Sequence, residues 1–129
     1  MTKQSDIDAV LRAASQFRYE DAHLEMNLED KTAFLDSRRL ELTPREYELL
    51  MLLVENAGEV VRREVLLMGV WGYGAGIRTR TLDVHIRRLR KRLGSYSDQY
   101  IETIFGVGYR FQPFRTSRHF QSGALLESP

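Results

Sequence analysis

The sequence predicts an α+β fold in which an N-terminal antiparallel β-meander leads into a three-helix core and a C-terminal β-hairpin. Three observations carry that expectation. Apolar residues alternate with polar ones from Leu24 to Leu28. They then recur at helical spacing from Tyr47 to Val54 and from Leu82 to Leu93. A short extended pattern around Gly106 and Gly108 closes the regular part of the chain. With 129 residues, 43% hydrophobic and 29% charged, the chain has room for one domain with short flanks and is neither disordered nor fibrous in composition.

Taken in order, Ser5–Ser15 reads as a short helix, with Ser5 as N-cap and Ile7, Val10 and Leu11 at helical spacing. Residues 1–20 are therefore expected to be a linker or the remnant of a preceding helix, residues 21–114 the folded domain and residues 115–129 a flexible tail. Between His23 and Leu42 the period is two. Turns at Glu29-Asp30-Lys31 and Asp36-Ser37 divide the segment into three strands. At Thr43-Pro44-Arg45-Glu46 a cap, a proline suited to the first helical position and a glutamate three residues on make a capping box. The helix that follows runs to about Asn56, presents Tyr47, Leu49, Leu50, Leu53 and Val54 on one face, and stops at Ala57-Gly58.

A second helix is expected from Arg62 to about Val70, burying Val65, Leu66 and Met68, and the four glycines between Gly69 and Gly76 predict a loop around Trp71 and Tyr73. The third helix, about Thr79 to Leu93, places Leu82, Ile86, Leu89 and Leu93 on a narrow core stripe. Arg80, Val84, Arg87, Arg88 and Lys91 lie on the opposite side. Beyond Gly94-Ser95, strands at Tyr100–Ile104 and Tyr109–Phe111 are joined by Phe105-Gly106-Val107-Gly108, whose glycines permit positive φ.

The formal net charge of +1 conceals a division. Up to Val60 there are 7 basic and 13 acidic residues; after it there are 12 basic and 5 acidic. Seven of those twelve cations fall between Arg78 and Arg92, where Asp83 is the only acid. A solvated stable helix usually interleaves both signs. Two readings stand at this point: a solvated cationic flank, or a surface for a polyanion.

Several classes are disfavoured. Without cysteine there is no disulfide framework, thiolate metal site or cysteine nucleophile, which fits a reducing compartment. The longest nearly apolar stretch, Tyr47 to Val54, is less than half of the roughly 20 residues a membrane helix needs, and the first residues lead into no signal-peptide core. No membrane association is expected. His23, His85 and His119 are far apart, and no GxSxG, P-loop or HExxH motif occurs, so neither an enzyme nor a cofactor is expected.

A cationic helix of about 15 residues suits the major groove of duplex DNA, where Arg pairs bidentately with guanine, Val84 can meet a thymine methyl and flanking cations meet phosphates. Two helices ahead of it and a hairpin behind complete a winged helix-turn-helix. The stretches LELTPREYELLMLLVENAGEVVRREVLLMGVWG, RTLDVHIRRLRKRL and YIETIFGVGYRF resemble the winged-helix effector domain of OmpR/PhoB-type response regulators, the output half of bacterial two-component systems, over about Leu24 to Phe111.

The resemblance implies that helix 79–93 is the recognition helix, with Val84, Arg88 and Arg87 at bases. It places Arg80, Thr81, His85, Arg90 and Lys91 at phosphates, and Trp71 with the hairpin residues Thr103 and Tyr109 on the backbone. Trp71 and Tyr109 also suit core aromatics, and His85 a surface histidine. The segment 69–77 corresponds to a loop that contacts RNA polymerase in such domains. The resemblance further implies tandem half-sites on double-stranded DNA, a cytoplasmic location, and a histidine kinase acting only through a receiver domain, for which the roughly 20 residues before the meander are too few. An excised effector domain and a receiver-less regulator both fit. A protein-interaction module docking RNA polymerase without DNA readout is the alternative function. Two positions depart from the family pattern: Phe105 stands where many members carry a wing arginine that enters the minor groove, and Thr79 where an acid is common.

Overall fold

The computed structural model describes residues 18–115. The helix expected at Ser5–Ser15 and the sequence after Arg115 lie outside the described residues. Seven strands and four α-helices occur in the order β1 (Arg18–Glu20), β2 (Leu24–Asn27), β3 (Thr32–Leu35), β4 (Arg38–Arg39), α1 (Pro44–Glu55), β5 (Val60–Arg62), α2 (Arg63–Trp71), α3 (Thr81–Leu93), α4 (Ser97–Tyr100), β6 (Ile101–Ile104) and β7 (Gly108–Phe111), with a 3-10 turn at Gly94–Tyr96 before α4.

The meander is present with one more strand than expected. Its antiparallel order is β1-β2-β3-β4, and β1 pairs with β2 through Tyr19 and Met26. The sheet thus begins ahead of His23. Asn27 makes the first turn by accepting from the backbone N–H groups of Glu29 and Asp30, both at 3.0 Å. Asp36 and Ser37 make the second with positive φ at both positions, the requirement of a two-residue hairpin that keeps the strand twist. The last strand is Arg38–Arg39 rather than Arg39–Leu42, because the backbone after Leu40 turns toward the cap of α1.

The capping box forms as read. Glu46 N–H donates to Thr43 Oγ1 (3.2 Å), and Thr43 N–H donates to Glu46 Oε1 (3.0 Å). Glu46 is buried, and Arg92 near the end of α3 approaches it at 3.9 Å. Replacing Thr43 by Ala is expected to lower the unfolding free energy by about 1 kcal/mol in a urea titration, with no change in the m-value.

Helix α2 corrects the sequence reading twice. Leu66, Leu67 and Val70 are its buried residues, whereas Val65 and Met68, expected in the core, are about half exposed. Its core stripe is therefore set one residue away from the one inferred. Gly69–Trp71, expected as loop, is its last turn: the buried side chain of Val70 holds it, and Gly72 in the left-handed region (φ 74°) ends it. Its N-terminus is preceded by β5, a strand missed because Val60–Arg62 is only three residues long.

β5 lies in the order β5-β7-β6, so the wing is a three-stranded sheet anchored to the helical layer through β7. Tyr100, expected in the wing, closes the helical turn α4 and is buried. Of the two wing glycines only Gly106 has positive φ (79°). Gly108 serves close approach instead: a Cβ there would lie 2.0 Å from the Val61 carbonyl oxygen.

Leu82, Ile86, Leu89 and Leu93 are buried as their spacing requires, joining Leu49, Leu50 and Leu53 of α1, Leu24 and Met26 of β2 and Phe111 of β7 in one core. The stripe of α3 fixes its rotation, and with it the direction of its outer face.

Candidate nucleic-acid interface

Helix α3 begins at Thr81, two residues later than its sequence pattern suggests. Thr79 Oγ1 accepts from Thr81 N–H (3.1 Å), so Thr79 caps from outside and leaves Arg80 as an exposed non-helical residue. The absent acid at position 79 is thereby replaced by a hydroxyl that orders the turn. With the buried stripe turned inward, Arg87, Arg88 and Lys91 are exposed and Val84 lies half-buried between the rows.

The cations divide by direction. Those facing the protein are engaged: Arg63 with Asp83, Arg110 with Glu102, Arg45 with Glu48, and Arg92 near Glu46. Arg90 donates from Nη2 to the Ile101 carbonyl (2.9 Å) and to Thr103 Oγ1 (2.7 Å), and lies over the Tyr109 ring. The side chains of Arg87, Arg88 and Lys91 have no hydrogen bond or ion pair among the described residues. Their charge is fully available to an external anion.

Other residues named from the sequence are brought together away from that face. The Trp71 and His85 rings meet edge to face with centroids 4.8 Å apart, and His85 Nδ1 lies 2.8 Å from the Thr81 carbonyl oxygen. Both side chains are half-buried. This pair ties the end of α2 to the first turns of α3. Thr103 and Tyr109 pair with each other one step from the turn of the wing and sit with Arg90, with Tyr109 only 7% exposed and its hydroxyl 3.1 Å from Asp83 Oδ1.

Sequence reasoning missed the strut at the centre of this arrangement. Arg63 at the start of α2 donates from Nη1 to Asp83 Oδ1 (2.7 Å) and from Nη2 to Oδ2 (3.4 Å), while Tyr109 of the wing donates to the same carboxylate. One acid therefore joins α2, α3 and β7. The Arg63 guanidinium holds Asp83 below the usual carboxylate range, and burial with the nearby carboxylate raises the Tyr109 phenol. A depressed carboxylate stabilises the fold above its unfolded pKa and loses that contribution only as pH falls through the folded value. The strut is accordingly complete at neutral pH. Its signal in the sequence was Asp83 itself, the single acid within the basic run.

Beside the strut an open groove of about 740 Å³ is lined by Arg63, Arg78, Thr79, Arg80 and Asp83, and by Gly106 at the wing tip. Loop, helix start and wing tip thus share one concavity, with three arginines and the acids Glu64 and Asp83 on its walls. Among the described residues there is no group of acids and histidines suited to a metal ion, and no helix is long and apolar enough to cross a membrane.

Comparison with known proteins agrees with this geometry. The family model described as transcriptional regulatory protein, C terminal, matches residues 37–111. The response regulator ArlR of Staphylococcus saprophyticus is 48% identical over 84 residues, covering 62% of this chain and 38% of that protein. The chain thus spans well under half the length of this curated relative. The DNA-binding domain of RstA from Klebsiella pneumoniae, solved in complex with the RstA box, aligns with a TM-score of 0.69 at 26% identity, covering 74% of this chain and 97% of that one. DrrB, an OmpR/PhoB homologue from Thermotoga maritima, aligns at 0.69 and 34% identity over 87% of this chain and 55% of its own. The chain belongs to the family of C-terminal transcriptional regulatory domains and carries the winged-helix, DNA-binding effector domain of an OmpR/PhoB-type response regulator.

Proposed function

We propose that this chain binds duplex DNA sequence-specifically to control transcription, laying α3 in the major groove and the β6–β7 hairpin on the adjacent backbone. The observation that carries this reading is the outer face of α3, where Arg87, Arg88 and Lys91 have no internal partner. Arg88 and Arg87 serve as guanine readers and Val84 as the apolar contact between them. Arg80, Thr81, His85, Lys91 and Trp71 meet phosphates near the helix start and flank. Thr103 makes the backbone contact of the wing, positioned by Arg90, which is fastened to it, and by Tyr109, which is held inward against Asp83.

The DNA-binding unit is taken as residues 21–114, extended at its start by β1 and flanked by a linker and a tail. Two copies on tandem half-sites about one helical turn apart would read the same face of the duplex. The segment 69–77, with Ile77 half exposed, together with exposed Val65 and Met68, suits a further contact with RNA polymerase. Control by a histidine kinase through a receiver domain, and a cytoplasmic location, follow for a regulator of this family.

Selection of bound sites from random duplexes tests the reading. One enriched motif, repeated at a fixed spacing, is expected, with log affinity falling against log salt at about 0.9 per phosphate contact. Replacing Arg88 by Ala should cost roughly 1–3 kcal/mol, relax preference at one base position and leave the melting temperature unchanged. Unaltered affinity and preference in that variant would remove α3 from the role of reader.

A further inference from the structure

Phe105 at the tip of the wing is 90% exposed, and Val107 beside it is 39% exposed. The segment 104–108 carries no charge. Leaving a side chain of this size in water forgoes the free energy that burial would supply. The hairpin holds it there firmly. Val107 N–H donates to the Ile104 carbonyl (2.9 Å), Gly106 takes the left-handed conformation the turn requires, and Gly108 is pressed against β5. The aromatic ring is presented by a rigid support at the far end of the sheet.

Its position relative to α3 gives that exposure a direction. Gly106, the next residue, borders the groove whose walls include Arg78, Thr79 and Arg80, just ahead of α3, together with Arg63, Glu64 and Asp83. When α3 lies in a major groove, the phosphate strand bounding that groove runs past these arginines. The tip of the wing then projects over the strand, toward the adjoining minor groove. An uncharged tip gains nothing there from phosphate, but apolar side chains inserted between base steps from the minor groove unstack and kink a duplex, most cheaply at pyrimidine–purine steps.

We infer that Phe105 is an apolar wedge that enters a base step in the minor groove flanking the site read by α3, adding a preference for a deformable step at a fixed offset from the major-groove contacts. The inference rests on the DNA-binding reading above and adds to it a contact that is independent of charge. Phe105 therefore contributes to affinity and to DNA bending but nothing to the salt dependence, in contrast to the cations of α3.

The test uses the full chain and the duplex selected above, labelled with 2-aminopurine at each flanking step in turn, with donor and acceptor dyes at the ends to report bending. The wild-type protein is expected to raise 2-aminopurine fluorescence at one flanking step and to bring the duplex ends together. Phe105→Ala should lose both signals and weaken binding about tenfold, as removal of an interface anchor does, with the salt slope unchanged. Phe105→Leu should retain part of each signal. Phe105→Lys should steepen the slope by about 0.9 without restoring the fluorescence. Because the side chain is exposed, melting temperatures should match across the series. A Phe105→Ala protein that binds and bends like the wild type overturns the wedge, and so does a loss of affinity accompanied by a shallower salt slope. Failure of the wild type to select any duplex would instead overturn the DNA-binding reading on which the wedge depends.

Discussion

Replacing Asp21 by Ala is expected to destabilise the domain by about 3–5 kcal/mol, the range for removing one partner from a buried charged network. Asp21 is 8% exposed, and its carboxylate accepts from the hydroxyls of Tyr19 and Tyr100 and from the backbone N–H groups of His23, Leu24 and Phe114. The Tyr100 phenol is buried and the Tyr19 phenol half-buried, and both rings pack against Phe111. The variant removes the acceptor of five donors at once, of which the Leu24 N–H and the Tyr100 hydroxyl are buried. Asp21→Asn keeps one acceptor oxygen and should lose less. Chemical unfolding followed by circular dichroism measures both, and a loss below about 1 kcal/mol for the Ala variant would show that the network contributes little net stability.

The same cluster fixes an alkaline limit. Burial and the Asp21 carboxylate raise the phenol pKa of Tyr19 and Tyr100 above the ordinary tyrosine value, and burial pushes Tyr47 up to about 12. A raised folded pKa means that the stabilisation is complete below the unfolded value, near 10, and is lost as pH rises through the folded one. Tyrosinate absorbance of these residues should appear together with unfolding.

Gly108→Ala is expected to cost about 3 kcal/mol or more, at the upper end of overpacking penalties, because the added methyl group meets backbone rather than a movable side chain. A Cβ would stand 2.0 Å from the Val61 carbonyl oxygen and 2.9 Å from Arg62 Cα. The strands must separate, which breaks the pairing of Val61 with Tyr109 and displaces the phenol that completes the Asp83 strut. Gly106→Ala is the control. Nothing lies within 4 Å of its added Cβ, so only the left-handed backbone is penalised, by about 1 kcal/mol. If the two variants melted alike, close strand approach would not be the role of Gly108.

Helices α1 and α3 were the legible part of this sequence, because each carries a periodic apolar stripe that no neighbour is needed to interpret. The stripe of α3 sufficed to predict which side of it would face outward. The short strands β1 and β5 were not legible: three residues contain no period, and both exist because a longer partner strand offers its edge. The buried set of α2 was misplaced because Val65, Leu66, Leu67 and Met68 are all apolar, and only packing decides which pair turns inward.

On the cationic face the run of basic residues was readable and their internal partners were not. Arg90 and Arg88 look alike in a basic run, yet one is fastened to the wing and the other is free. Tyr109 is likewise drawn inward by Asp83, 26 residues earlier in the chain. Asp21 passed unnoticed among the acids of the first half, since the two partners that tie it to the rest of the fold lie 79 and 93 residues away.

The division between engaged and unengaged arginines has a consequence for selectivity among anions. An internal carboxylate competes with any phosphate for the same guanidinium, so a paired arginine must break one contact to make another. On α3 the competitors are confined to the inward side. A phosphate or base edge meeting Arg87 or Arg88 displaces only water and small ions, and the arrangement that sustains the fold is left intact while it does so. On the proposed reading, one duplex can then be exchanged for another repeatedly without loosening the domain, which is what searching along DNA for a rare site demands.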